Sequence, residues 1–212
     1  MDELELLKKD WQKGTAYPKV TAKEIYPMLL KKSSSLVKWI FIISLLEFAF
    51  WSLISFAFKD SDAMTRFEDY HVEYILIPLT IAGYIILFYF FFMFFKNYRS
   101  INTTDNAKTL METILKTRRT VKQYVIFNLV FLVISTFVSL WIVFNNDATF
   151  IKALEEAAVD GSTFKVYATT IIATIVALAI AIGLILLFYY LIYGILLKRL
   201  NRNYKELKKM EI

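Results

Sequence analysis

The sequence predicts an all-α fold, a bundle of four transmembrane helices built as two helical hairpins, with both termini in the cytosol. Three observations predict it. Four apolar blocks of about 20 residues or more interrupt an otherwise charged chain, each long enough to cross roughly 30 Å of hydrocarbon as a helix. The blocks show none of the helical polar spacing that a water-facing helix keeps on one side. The basic residues alternate between the connecting segments in a way that only an even number of crossings explains.

The blocks are Val37–Phe58, Tyr74–Phe95, Tyr124–Phe144 and Val166–Leu197, with expected spans at about 37–58, 74–95, 124–144 and 167–197. They account for an apolar share of 58%, above the 45–50% or so usual in soluble domains. Mean hydropathy is correspondingly positive, at +0.50. Only the first block carries an internal charge, Glu47. The early residues are charged and mixed in sign, so no cleavable signal peptide is expected. The sequence contains no cysteine, which excludes disulfides and thiolate chemistry.

Orientation follows from lysine and arginine. Of the 25 basic residues, 21 lie up to Lys38 at the start of the first span, between the second and third spans, or after the fourth. The two remaining connections hold only Lys59 and Arg66, and Lys152 and Lys165. The positive-inside rule puts the basic segments in the cytosol. Trp39, Tyr74, Tyr124 and Trp141 fall near the expected interfaces, where amphipathic rings anchor a span. The net charge of +6 is explained by these flanks, so no nucleic acid is expected as a partner. The expected partners are the lipid bilayer and its anionic headgroups, a cytosolic protein and a second copy of the chain.

Residues 1–35 read as a cytosolic amphipathic segment, and residues 36–212 as the membrane domain. Leu4, Leu7 and Trp11 share a helical face, Gly14 and Pro18 break it, and Thr21 with Glu24 has capping-box spacing. Pro27 warns of a kink or a later start. The segment suits either headgroup contact or docking of a cytosolic partner. The middle connection reads as a helix capped by Thr104 or Asp105 that runs into the third span. Lys116, Arg118, Arg119 and Lys122 decorate it as a candidate basic cytosolic face. The segment from Asp147 to Asp160 reads as a short helix stopped by Gly161. The runs Gly83–Phe90 and Gly183–Tyr190 match at a constant offset, which suggests that one hairpin duplicates the other.

Glu47 is the residue singled out for chemistry. A carboxylate near the centre of a bilayer costs roughly 2.5–3.5 kcal/mol on insertion scales, so it is a functional candidate by default. It is expected to face the bundle interior, as interhelical glue or as a ligand, proton or headgroup site. Asn128 and Tyr189 complete the candidate polar site, and Ser44, Ser135, Thr136, Ser139, Thr174 and Tyr190 are further hydroxyl partners to consider. Ala173, Ala177 and Ala181, with Ala179 and Gly183, form small-residue stripes that suit an intrachain seam or a homodimer face. His71 is the only histidine, near Asp69 and Glu73, a poor basis for a metal site. No catalytic triad, HExxH, phosphate loop or dinucleotide fingerprint occurs, so no catalytic residue, metal or cofactor is expected.

Four stretches carry a family resemblance: Asp2 to Trp11, Thr104 to Lys108, Leu115 to Lys122 and Lys198 to Lys205. With them the chain resembles a group of uncharacterised four-span inner-membrane proteins from Bacteroidota. Some of that group carry a carotenoid monooxygenase label, which implies an iron held by four histidines. One histidine does not meet that requirement. The resemblance also implies envelope signalling, because such proteins can be encoded beside extracytoplasmic-function sigma factors. The expected function is a non-enzymatic interaction or regulatory scaffold, with a small oligomeric transporter or channel using Glu47 as the alternative.

The orientation is directly testable. Reporter fusions after Phe58 and Phe144 are expected to read as external, and fusions at Asn106 and Ile212 as cytosolic. An external signal at Ile212 would overturn the topology.

Overall fold

The computed structural model describes residues 22–59, 61, 65, 69–102 and 106–210. The expectations for Leu4, Leu7, Trp11, Gly14, Pro18 and Thr21, and for caps at Thr104 and Asp105, lie outside these residues. Helix α1 is Ala22–Ala57, α2 is Glu73–Asn102 and α3 is Ala107–Asn146. The short helix α4 is Ala148–Val159, and α5 is Thr163–Tyr189. A π-helical turn, Tyr190–Gly194, joins α5 to α6, Ile195–Met210. Four helical stretches are long and apolar enough to cross a membrane: Glu24–Ala57, Glu73–Ile101, Ala107–Asn146 and Thr163–Lys209. The protein is an all-helical membrane bundle.

Several local stops and starts have clear chemical causes. Asn106 caps α3, its Oδ1 accepting from the Lys108 N–H at 2.9 Å. Asp147 caps α4 through Phe150 N–H, at 2.7 Å. Past α4, Gly161 takes φ +66°, Ser162 N–H donates to Ala157 C=O and Gly161 N–H to Ala158 C=O. That double closure needs a left-handed residue at the helix end, which glycine adopts without a Cβ clash. Pro27 and Pro78 both sit early in long helices, and neither ends its helix.

The helices outrun their apolar blocks at the end of the bundle that carries Ala22 and Met210, the first and last described residues. Residues 22–35 belong to the same helix as the first span. They pack with the ends of α2, α3 and α6 around a core of Leu29, Leu36, Ile101, Leu110, Ile114, Leu200 and Leu207. In this terminal half α1 lies between α2 and α6, and α3 closes the ring. Polar pairs thread the core. Asn203 Nδ2 donates to Ser33 Oγ at 3.0 Å and Asn97 Nδ2 to Thr120 Oγ1 at 3.2 Å. The Ser100 and Thr113 hydroxyls lie 3.3 Å apart.

The distal half is built differently. There α5 packs chiefly on α3 and α4 rather than on α1 and α2. Of its residues only Tyr189 is buried. Ala173, Ala177, Ala179 and Gly183 face outward, Ala181 is half-buried, and a Cβ on Gly183 would meet open space. The small residues therefore form no close-packed intrachain seam, because α5 makes few contacts with α1 and α2 over this stretch. Ile77, Ile81, Ile85 and Phe92 on α2, with Ile172, Ile175 and Ile180 on α5, form an exposed apolar girdle. Such a surface is stable against lipid tails and not against water. The matching runs in α2 and α5 also pack unlike each other. Phe90 is buried where Tyr190 is exposed, and Tyr89 is exposed where Tyr189 is buried.

This division of packing has a measurable consequence. Leu200→Ala opens a cavity at a fully buried site and is expected to cost about 2–5 kcal/mol. Ile172→Ala on the outward face is expected to change stability little. An SDS-unfolding titration compares them, and equal losses would contradict the placement of the core.

Candidate intramembrane site

Glu47 lies on α1 at the boundary between the solid terminal half and the looser distal half, and is only 7% exposed. Its carboxylate collects three tyrosine hydroxyls. Tyr189 Oη donates to Oε1 at 2.6 Å, and Tyr124 and Tyr193 donate to Oε2 at 3.0 and 3.2 Å. A carboxylate offers about four lone-pair positions, so three donors nearly saturate it and leave one on Oε1.

Three helical segments deliver these hydroxyls. Tyr124 comes from α3, Tyr189 from the last residue of α5 and Tyr193 from the π-helical turn. Tyr189 and Tyr193 are one turn apart, and the widened turn between them rephases the helix before α6 begins. The rings hold one another. Tyr124 meets Tyr189 and Tyr193 with centroids 6.2 Å apart, and Phe90 and Phe94 at 5.6 Å, all edge-on.

Glu47 also forms part of the floor of a cavity of about 570 Å³. Phe48 and Trp51 of α1, Phe131 of α3, and Leu184 and Phe188 of α5 line its walls. The walls are overwhelmingly apolar, with Asn128 and Ser135 as further polar groups. A second chamber of about 490 Å³ shares Phe48, Trp51, Asn128 and Phe131 and continues towards Ser55, Leu76 and Ser139 at the distal end. A Cβ on Gly83 would come within 2.7 Å of the Phe131 ring, so a larger residue there would have to displace that ring. Trp51 and Leu184 are more than half exposed, so the first cavity opens sideways between α1 and α5.

Of the three expected site residues, Tyr189 bonds Glu47 directly, while Asn128 shares the cavity and spends its Nδ2 on the Tyr124 carbonyl at 3.0 Å. Ser44, Thr136 and Thr174 donate to their own helix backbone instead. Tyr190 points outward, 74% exposed. Tyr124, read from sequence as an interfacial anchor, is 1% exposed and is a direct partner of Glu47. Tyr193 carried no signal beyond its spacing of four from Tyr189.

The candidate basic face is split. Lys116, Arg119 and Lys122 are exposed on α3. Arg118 turns inward by contrast, its Nη1 donating to Asn201 Oδ1 on α6 at 2.9 Å. Among the described residues no group of three or more His, Asp or Glu is placed to hold a metal ion.

The tyrosine cluster sets the expected cost of altering Glu47. Glu47→Leu strands three buried hydroxyls, each worth about 1–3 kcal/mol when left without an acceptor. Glu47→Gln keeps one acceptor oxygen, and Tyr193→Phe removes only the longest bond. Thermal melting in detergent is expected to rank stability as Tyr193→Phe, then Gln, then Leu, from mildest to most severe. A Leu variant as stable as the parent chain would refute the cluster.

No curated protein and no solved structure matches this chain. A family model described as Domain of unknown function (DUF8845) matches residues 23–212. That range takes in all four long helices, the tyrosine cluster and Glu47, and the chain belongs to this DUF8845 family.

Proposed function

We propose that this chain is a non-enzymatic regulatory protein of the bacterial inner membrane that binds a lipophilic cation from the bilayer at Glu47. Both termini lie in the cytosol in this reading, where the basic end of the bundle meets anionic headgroups and a protein partner. The lysine and arginine distribution supports the orientation, and the resemblance to inner-membrane proteins of Bacteroidota supports the location.

One observation carries the reading: a nearly saturated carboxylate at the floor of an apolar cavity that opens sideways. A charge at this depth is costly, and tyrosine hydroxyls solvate it without cancelling it. The protonated amine of an apolar molecule would cancel it. The faces of Phe48 and Trp51 suit such a head group through cation–π attraction, and the cavity suits its apolar body. Beyond the tyrosines the terminal half is packed with side chains such as Ile40, Phe94 and Val121, each no more than 1% exposed. A cavity that ends on a solid core supports reception of a ligand more than conduction through one chain. Lys116, Arg119 and Lys122 at the far end of α3 are the groups through which a bound state would be presented to a partner. Transport through an oligomer, with contact along the outward stripe of α5, is the alternative.

The probe is dodecylamine, with dodecanol as its uncharged counterpart, added to the full chain in lipid nanodiscs. Fluorescence of Trp51, isolated by Trp→Phe changes at 11, 39 and 141, is expected to respond saturably to the amine alone. Glu47→Gln is expected to abolish the response. An equal response to dodecanol, or an undiminished one in the Gln variant, would refute the proposal.

A further inference from the structure

On the terminal half, α1 and the segment formed by the π-helical turn and α6 leave a groove of about 770 Å³ between them. It is separate from the Glu47 cavity, and its lining is graded along its length. At the terminal end it carries Lys31, Lys32 and Arg199, with Ser35 beside them. Towards the membrane interior it carries Trp39 and Ile43 on one wall, and Leu191 and Ile195 on the other. No carboxylate lines it. Among the described residues, none of the three cations is in an ion pair.

The gradient follows from helix geometry. Lys31, Ser35, Trp39 and Ile43 are successive turns of α1 on one face, spanning about 18 Å at 1.5 Å per residue. The opposite wall runs antiparallel, so Arg199 stands level with the lysines and Leu191 with Ile43. The π-helical turn contributes Leu191 and Ile192 to the deep part of that wall. The groove is therefore cationic at one end, apolar at the other and marked between them by Trp39, whose ring suits the membrane interface.

We infer that this groove binds one anionic phospholipid, its phosphate held by Lys31, Lys32 and Arg199 and an acyl chain laid between Trp39, Ile43, Leu191 and Ile195. Charge complementarity selects the occupant. Three uncompensated cations attract an anionic head and repel the choline of a zwitterionic one, and the apolar floor excludes water-soluble anions. The lipid seals a seam between α1 and α6, the two helices that lead to the chain ends. The site uses none of the residues of the Glu47 cavity and is independent of its ligand.

The test uses the full chain in mixed micelles with Trp39 as its only tryptophan. Brominated phosphatidylglycerol is expected to quench Trp39 at about tenfold lower mole fraction than brominated phosphatidylcholine, as expected for several uncompensated basic groups acting together. The triple variant Lys31→Gln, Lys32→Gln, Arg199→Gln is expected to lose this preference. The control triple Lys116→Gln, Arg119→Gln, Lys122→Gln is expected to keep it. Native mass spectrometry of the unmodified chain supplies a second readout, expected to show retained phosphatidylglycerol that the groove triple loses. Equal quenching by the two lipids would overturn the inference. So would equal losses in both triples, which would mean diffuse attraction to the whole basic end. Competition by free glycerol 3-phosphate would also overturn it, assigning the cations to a soluble anion.

Discussion

A carboxylate within an apolar span has to be satisfied by the protein, because the bilayer interior offers it no water. That constraint organises the centre of this bundle. Glu47 draws hydroxyls from α3, α5 and the π-helical turn, so one side chain of α1 binds three other segments at a single depth. The tyrosines can meet it only if α5 approaches α1 at its inner end. They then fill the space around it with rings that exclude lipid and meet edge to face. The junction is both a polar bond and an aromatic plug, and it divides a packed half from an open half.

The two halves answer to different solvents. In the terminal half the helices continue past their apolar blocks, where water competes and packing rewards burial. The result resembles the core of a soluble four-helix bundle, with leucines and isoleucines inside and paired asparagines, serines and threonines between them. In the distal half lipid tails solvate leucine as well as a neighbouring helix does, so apolar side chains gain little by turning inward. There α5 is free to lean on α3 and α4, anchored by Phe144, Phe150 and Tyr167, whose centroids lie 4.8–5.4 Å apart. The Tyr70 hydroxyl bonds the carboxylate of Asp147, which also caps α4, so the distal connections brace each other. The chambers above Glu47 are what this leaning leaves behind.

Polar groups inside the terminal half give the bundle its register. Asn97 with Thr120, Ser33 with Asn203 and Arg118 with Asn201 each join a different pair of helices. Sliding any helix by one turn would break such a pair and bury its members unsatisfied, a cost that purely apolar packing does not impose. The same end carries the groove between α1 and α6. The charged residues there lie on the outside while the paired polar ones within hold the helices in step.

Sequence alone determined what depends on composition and on local backbone chemistry. Four apolar blocks of spanning length were legible because hydrocarbon thickness sets a minimum run, and one charge among them stood out because it is costly there. The stop at Gly161 and the helix from Asp147 were legible because caps act over a few residues. Tertiary structure alone decided which hydroxyls reach Glu47. Tyr124, Tyr189 and Tyr193 lie 77, 142 and 146 residues away, and in apolar spans without a polar face no periodicity says which side turns inward. Tyr189 and Tyr193, one turn apart, share the inward face and Tyr190 lies outside, a choice of face that the apolar run itself did not mark. Tertiary structure also carried the bundle beyond its apolar blocks. A lysine-rich turn reads as a solvated flank until the leucines among its charges find three other helices to pack against.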